Sequence, residues 1–524
     1  MNAEQILQTD TLKTLYFTSQ DTVLMADGTL QTCDFDSPAI ESIKQLVKAN
    51  PEQFGFDFEP DLLVRFTSRS HITQWLTDIS KEVPAAPSTS LLQQSETATR
   101  AKRVLEQAVL KGSSDIHIEL FKHQTRIEVR VDGRMTELMK PIGEYEYGEL
   151  LIGYLFNELC EDKDDDFHVG TINNGRLSLP LDTPNGKRET QWRLAYIPAK
   201  DKGGQCTLRW LNKETSIPTL DNIGWEAGHV NVMRDFMNSA SGICLIAGQT
   251  SSGKSTTIAA ALSEMKRQGR SINTVEDPVE FDLGVIQTSV TAKQGQDNHF
   301  NAYTKALLRH DVDIESHGEV RDGVGAMDVC RKGETGQIMF STLHTSSAVG
   351  IAHTLNEQML VPSALLAAPD LMKLWIYQTL VRTVCPHCGL LLEQAKETWS
   401  EQQKAHFAVW QASMASFNPK SLRFRNPEGC SQCVEGEKGR TTLIEMVVLD
   451  DDDRALILSR DYLAWLKALK VKGFKSVVDH ANLKILRGEV DIFSAAGRVD
   501  GLFPKDTNAV YQGLWEEVKD ERST

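Results

Sequence analysis

Residues 241–261 read SGICLIAGQTSSGKSTTIAAA, and the reading of the fold starts from them. The apolar run at 243–247 predicts a buried parallel strand. It gives way to Gly248, Gln249, Thr250, Ser251, Ser252, Gly253, Lys254, Ser255 and Thr256, and then to a helix-forming segment. This is G-x-x-x-x-G-K-[ST] in the strand–loop–helix setting that the pattern requires. Glycines let backbone N–H groups close around phosphate oxygens, and the following helix adds its positive end. In such a loop Lys254 reaches the β- and γ-phosphates, and the Ser255 hydroxyl holds Mg²⁺. The bland reading is a chance Gly/Ser turn, which the flanking strand and helix disfavour. A nucleotide-phosphate site is expected here.

Working outward, the chain of 524 residues has length for two to four domains. With 56 basic and 72 acidic residues its net charge is −16, which argues against a general nucleic-acid binder. The start, MNAEQILQTD, lacks the basic and apolar regions of a signal peptide. No uninterrupted apolar segment approaches the length of a membrane span. A soluble, cytoplasmic chain is expected.

Upstream of the loop, residues 1–82 mix strand-like alternation (TLYFTS, TVLMA, LLVRFTS) with a helical pattern at 40–48, a small α/β domain without a chemical motif. It is either a partner-docking domain on a tether or a plain scaffold extension. Residues 83–96, VPAAPSTSLLQQSE, have a linker's composition. A helix is expected at 97–111, followed by strands at 116–119 and 125–131 with Asp132-Gly133 as a turn. Strand patches near 174–179 and 191–198 extend this sheet, and 205–211 closes it. Taken alone, Arg176, Arg193 and Arg209 are ordinary solvated strand residues.

Downstream, residues 271–275 predict a second core strand, ending in the carboxylates Glu276, Asp277 and Glu280. A lone acidic cluster is usually a solvated turn, but its place one βα unit past the phosphate loop favours Mg²⁺ or water. Residues 313–319 form a candidate third strand ending in Glu319, and 336–345 a fourth ending in His344. Within the third strand Glu315, Ser316 and His317 replace the apolar residues of a doubly covered strand. Glu315 and His317 share one face, so each is expected to contact the other, or a polar neighbour.

Nine cysteines are present. Cys385, Cys388, Cys430 and Cys433 form two C-x-x-C knuckles, and four thiolates suit tetrahedral structural Zn²⁺. A redox pair is the rival reading, disfavoured because two knuckles stand outside any βαβ unit. His387 is not needed as a ligand, and residues 393–415 predict an inserted polar helix. Cys33, Cys160, Cys206, Cys244 and Cys330 read as core residues. The tail carries amphipathic helices at 462–471 and 476–486, preceded by the acidic run LDDDDR at 449–454, a solvated face or helix start.

The order SSDIHIE, RVDG, phosphate loop, EDPVE, GEVRD, STLHT and paired C-x-x-C resembles the type II secretion and type IV pilus assembly ATPases over residues 97–450. The resemblance implies an α/β chain: a PAS-like domain (97–222), a RecA-like ATPase domain (223–384), a zinc-binding subdomain (385–445) and a C-terminal helical region (446–524). It implies ATP, Mg²⁺ and Zn²⁺, a homo-hexamer, and a polytopic inner-membrane platform protein as partner, the chain being peripheral to that membrane. Another assembly protein would dock on residues 1–82, and no nucleic acid is expected. Carried across, Lys254 and Ser255 are the phosphate-loop pair, Glu276 and Glu280 the Asp-box carboxylates, Glu319 the Walker B glutamate and His344 the His-box residue. Arg176, Arg193 and Arg209 fall where the PAS-like domain supplies arginines to nucleotide. Departures are Ser251 for a glycine, Glu128 for an arginine, and the Glu315–His317 interruption. The alternatives are a nucleotide-binding structural hexamer with weak hydrolysis, and a pilus-retraction ATPase.

Overall fold

In this computed structural model residues 6–50, 54, 62–80, 89–163, 166–184, 186–213, 216–277, 279–290 and 299–514 are described. The chain divides into two units, Met1–Lys213 and Glu214–Thr524. The first opens with helix α1 (Asp10–Ser19), although TLYFTS alternates like a strand. Thr9 decides between the two: its side chain accepts a hydrogen bond from the Leu12 amide at 3.2 Å, capping the helix. Leu12 and Tyr16, one turn apart, are then fully buried together. Strands β1 (Thr22–Leu24), β2 (Leu30–Thr32) and β3 (Val64–Phe66) form a small sheet. Helices α2 (Pro38–Ala49) and α3 (Arg69–Ser80) share its core.

Residues 83–88 of the expected linker lie outside the described residues. Its later part is helical, because α4 (Thr89–Leu110) begins at Thr89 and not at 97. LLQQSE is made of fair helix formers, and Glu96 is buried in ion pairs with Arg69 and Arg100. The second sheet of this unit runs β6-β5-β4-β10-β9-β8-β7. Its strands are β4 (Asp115–Phe121), β5 (Gln124–Val131), β6 (Arg134–Ile142), β7 (Cys160–Lys163), β8 (Asn173–Thr183), β9 (Gly186–Pro198) and β10 (Gly204–Trp210). Asp132-Gly133 joins β5 to β6, with Val131 opposite Arg134. Helices α4 and α5 (Tyr145–Asn157) bury one face against Ile116, Ile118, Val129, Trp192 and Leu208. The strand expected to close the sheet is central instead, since β10 pairs with β4 on one side and β9 on the other. Its alternation marks one buried face but carries no signal for position in the sheet.

The second unit is built on a sheet ordered β13-β12-β14-β15-β11-β16-β17. Its strands are β11 (Gly242–Ala247), β12 (Ile272–Glu276), β13 (Ile286–Ser289), β14 (Ile314–His317), β15 (Ile338–Leu343), β16 (Met372–Val384) and β17 (Glu437–Val448). All pairs are parallel except β16–β17. Ile243, Leu245 and Ala247 enter one core, and Cys244 and Ile246 the other, which is why β11 reads as an unbroken apolar run. Helices α6 (Ala227–Met237) and α7 (Lys254–Met265) cover the second of these faces, and α9 (Gly323–Glu334) the first. Helix α8 (His299–Leu307) precedes β14.

All four residues of β14 are buried. Glu315 does not contact His317 as first choice: its carboxylate pairs with Lys332 of α9, and both side chains are 0% exposed. Same-face neighbours on one strand are two rises of ~3.3 Å apart, whereas a lysine from the covering helix reaches the carboxylate directly. The ring of His317 packs against Phe300 at 5.1 Å.

The loop from β16 to β17 holds two helices, α10 (Leu392–Thr398) and α11 (Glu401–Ser413), where one polar helix was expected. They are less polar in effect than in composition, because Trp399, Phe407 and Trp410 are buried with Phe424. Helices α12 (Asp451–Leu458), α13 (Tyr462–Val471) and α14 (Val477–Leu486) follow. The acidic run starts α12: Asp450 caps it, and buried Asp453 accepts from Trp465 Nε1 at 2.9 Å. Among the described residues no helix is long and apolar enough to cross a membrane.

Candidate nucleotide site and metal centre

Strand β11 delivers the chain to the loop at 248–253, and α7 leaves it with Lys254 as its first residue. Gly253 has φ +86°, a left-handed conformation that glycine adopts without steric cost. A Cβ on Gly248 would stand 2.3 Å from the Gln378 carbonyl oxygen, so the loop lies tight against β16. Ser251, standing where a glycine is usual, has φ +63° and so carries a strain of about 1 kcal/mol. Lys254 Nζ donates to the carbonyls of Gly248 (2.8 Å) and Gln249 (3.1 Å). Burial lowers its pKa, while Glu319 and Glu280 act to raise it.

The parallel strands place their carboxyl ends on one edge, and the predicted residues gather there. Glu319 follows β14 and His344 follows β15. His344 Nδ1 lies 2.9 Å from the Gly248 carbonyl, and its Nε2 is 3.3 Å from Glu319 Oε1. Arg321 holds Glu319 from the other side at 3.3 Å and reaches Asp277 at 3.7 Å. Lys254, Glu319, His344 and the phosphate loop thus form one constellation. Glu276 is turned into a separate network, accepting from Thr274 Oγ1 at 2.6 Å and Gln287 Nε2 at 3.1 Å. Glu280 is exposed on the loop beyond. Motif reading assigned no role to Arg321 or to Gln378 of β16. The sequence shows Gln378 as one of three residues, with Lys373 and Arg382, that break the stretch at 371–384.

In the first unit Arg176 (β8), Arg193 (β9) and Arg209 (β10) stand directly opposite one another across adjacent strands. The row continues to Asp115 (β4) and Arg130 (β5). Arg209 Nε donates to Asp115 Oδ1 at 2.8 Å. The carboxylate is buried, and Arg209 is 46% exposed. These arginines therefore lie on the face opposite the hydrophobic core.

At the tip of the β16–β17 hairpin the sulfurs of Cys385, Cys388, Cys430 and Cys433 lie within 4.8 Å of one another. Separations of 3.8 Å (Cys385–Cys430), 3.6 Å (Cys388–Cys433) and 3.6 Å (Cys430–Cys433) match a tetrahedron with Zn–S near ~2.3 Å. Cys385 directly follows β16, and Cys433 sits on the turn before β17, so strand pairing brings the knuckles together. His387 is outside the group, and all nine cysteines are free thiols. The five unpatterned ones are buried, as expected. The donor set fits structural zinc.

The family model described as "Type II/IV secretion system protein" matches residues 92–518. Type II secretion system protein E of Aeromonas hydrophila is 31% identical over 459 residues, covering 84% of this chain and 85% of that one. The type IV pilus assembly ATPase PilB of Thermus thermophilus is 28% identical over 436 residues, 82% of this chain and 46% of its own. Among solved structures, the Legionella pneumophila ATPase DotB superposes with a TM-score of 0.51 at 18% identity, covering 78% of this chain and 96% of that one, a likeness of fold. With a family model over most of its length and a relative above 30% identity along most of both chains, the chain belongs to the type II/IV secretion system protein family and is an ATPase of that family.

Proposed function

We propose that this chain is an ATP-hydrolysing motor that powers type II secretion or type IV pilus assembly through an inner-membrane platform protein. It works as a hexamer on the cytoplasmic side of that membrane, and residues 1–82 dock a second assembly protein. The observation that carries the reading is the meeting of Lys254, Glu319 and His344 on one sheet edge around the phosphate loop. Loop amides and Lys254 would hold the β- and γ-phosphates, and Ser255 would hold Mg²⁺. Glu319, steadied by Arg321 and His344, is placed to orient the attacking water or complete the metal shell. Glu276, already engaged by Thr274 and Gln287, supports the site and does not act as its base. The weak-hydrolysis alternative drew on Glu315, Ser316 and His317 replacing apolar residues; the burial of all four residues of β14 speaks against a distorted or exposed strand there. Relatives named for secretion and pilus assembly favour extension over retraction.

The test is turnover and nucleotide binding of the purified chain. Lys254→Ala should abolish hydrolysis, and Glu319→Gln should stop it, by about 100-fold or more, yet retain ATP. If Glu319→Gln hydrolyses like the parent, the base lies elsewhere and Glu280 becomes the candidate.

A further inference from the structure

Gln378 is a polar side chain, 0% exposed, in the middle of β16, next to the buried apolar stretch of Leu374, Trp375 and Ile376. Both ends of its amide are used. Oε1 accepts from Thr257 Oγ1, on the first turn of α7, at 3.0 Å. Nε2 donates to the Ser252 carbonyl, inside the phosphate loop, at 2.9 Å. Its backbone carbonyl is the atom that a Cβ on Gly248 would strike at 2.3 Å. One residue therefore touches the start of the loop, its end and the helix beyond.

We infer that Gln378 is a positioning residue of the nucleotide site, one that sets the orientation of a phosphate-binding amide. The peptide unit is planar and trans, so fixing the Ser252 carbonyl toward Gln378 turns the Gly253 N–H the opposite way, to the open side of the loop. A loop that binds phosphate through amides depends on such orientation being set before the ligand arrives. Thr257 is part of the device, because its hydroxyl occupies Oε1 and leaves Nε2 to face Ser252. A glutamine suits this place because it carries one acceptor and one donor of fixed geometry without a charge to bury. The inference rests on the reading of residues 248–256 as a phosphate site.

The experiment is ADP–Mg²⁺ binding by calorimetry to the full chain, with zinc content and the nucleotide-free melting temperature as checks on folding. Gln378→Glu keeps the acceptor and loses the donor. At pH 8 its ADP affinity should fall at least about tenfold relative to wild type. As pH is lowered the introduced carboxyl regains a proton and a donor, so the ratio to wild type should recover. Gln378→Leu should weaken binding without any such recovery. Thr257→Val should lose affinity several-fold, and Thr257→Ser, which keeps the hydroxyl, should restore it. The inference is overturned if Gln378→Glu binds ADP within twofold of wild type at pH 8, or if its deficit is independent of pH. Should Gln378→Glu not fold, the Thr257 pair decides: equal affinity for Val and Ser overturns it. Absence of ADP binding by the wild type is a distinct result, and it would remove the phosphate-site reading itself.

Discussion

Glu315 and Lys332 are both shut away from water in the second unit and held against each other. Burial raises the pKa of the carboxyl and lowers that of the ammonium, and each partner opposes the other's shift. Glu315 Oε1 makes no hydrogen bond among the described residues, so the pair is an imperfectly compensated island. Removing one partner leaves a buried charge, a cost of about 3–5 kcal/mol, whereas replacing both by apolar residues of similar size is often neutral or stabilising. Glu315→Leu alone should therefore lower unfolding stability by roughly that amount, and Glu315→Leu with Lys332→Met should recover most of it. Urea denaturation of the two variants checks this. A double variant as unstable as the single one would show that the pair contributes more than charge compensation. At this scale the sequence was legible where chemistry is local: the positive φ of Ser251 sits where a missing glycine had been noted. It was opaque for Glu315 and Gln378, whose partners come from other elements and leave no mark on spacing.

The elements themselves were legible where one face is apolar and the period is clean. The strand at 243–247, the helix at 462–471 and the Asp132-Gly133 turn are where the pattern puts them. TLYFTS was misleading because six residues of alternation fit a helix with buried Leu12 and Tyr16 equally well, and the deciding Thr9 cap lies outside them. The place of β10 within its sheet was hidden for a different reason, since long-range pairing order has no local signature. The hairpin tip is the opposite case: two C-x-x-C knuckles announce the metal, and strand pairing of β16 with β17 gathers them. Because structural zinc contributes folding free energy directly, chelation should loosen the tip and the Trp399–Phe407–Trp410 cluster behind it. Near-ultraviolet circular dichroism, which follows those tryptophans, should lose intensity on treatment with a strong chelator and regain it with Zn²⁺. Freshly purified protein that holds no zinc, with the aromatic signal intact, would refute the assignment.

Across the whole molecule, the phosphate loop belongs to one unit and the row Arg176–Arg193–Arg209 to the other. Like charges directly opposite on neighbouring strands repel; the row has Asp162 opposite Arg176 and Asp115 opposite Arg209, but Arg193 faces an arginine on both sides. Such a row is costly in isolation and favourable beside an anion, which a fork of guanidinium donors binds well. We expect the row to act on nucleotide only when copies of the chain assemble, with turnover depending on it more than binding does. Arg193→Ala and Arg209→Ala should each lower kcat by roughly 10–1000-fold in the assembled ring, with ADP affinity changed by only a few-fold. Light scattering on the same samples confirms that assembly is retained. Arg209 needs a further control because its bond to Asp115 could matter for folding alone. Arg209→Lys keeps a positive charge beside that carboxylate but loses the planar fork, so a purely structural role predicts near-normal turnover for it, and a role toward phosphate predicts a deficit close to that of alanine. If both alanine variants hydrolyse normally, the arginines are solvated strand residues and the stabilising charge comes from the second unit alone, leaving Lys254 and Arg321 as its sources.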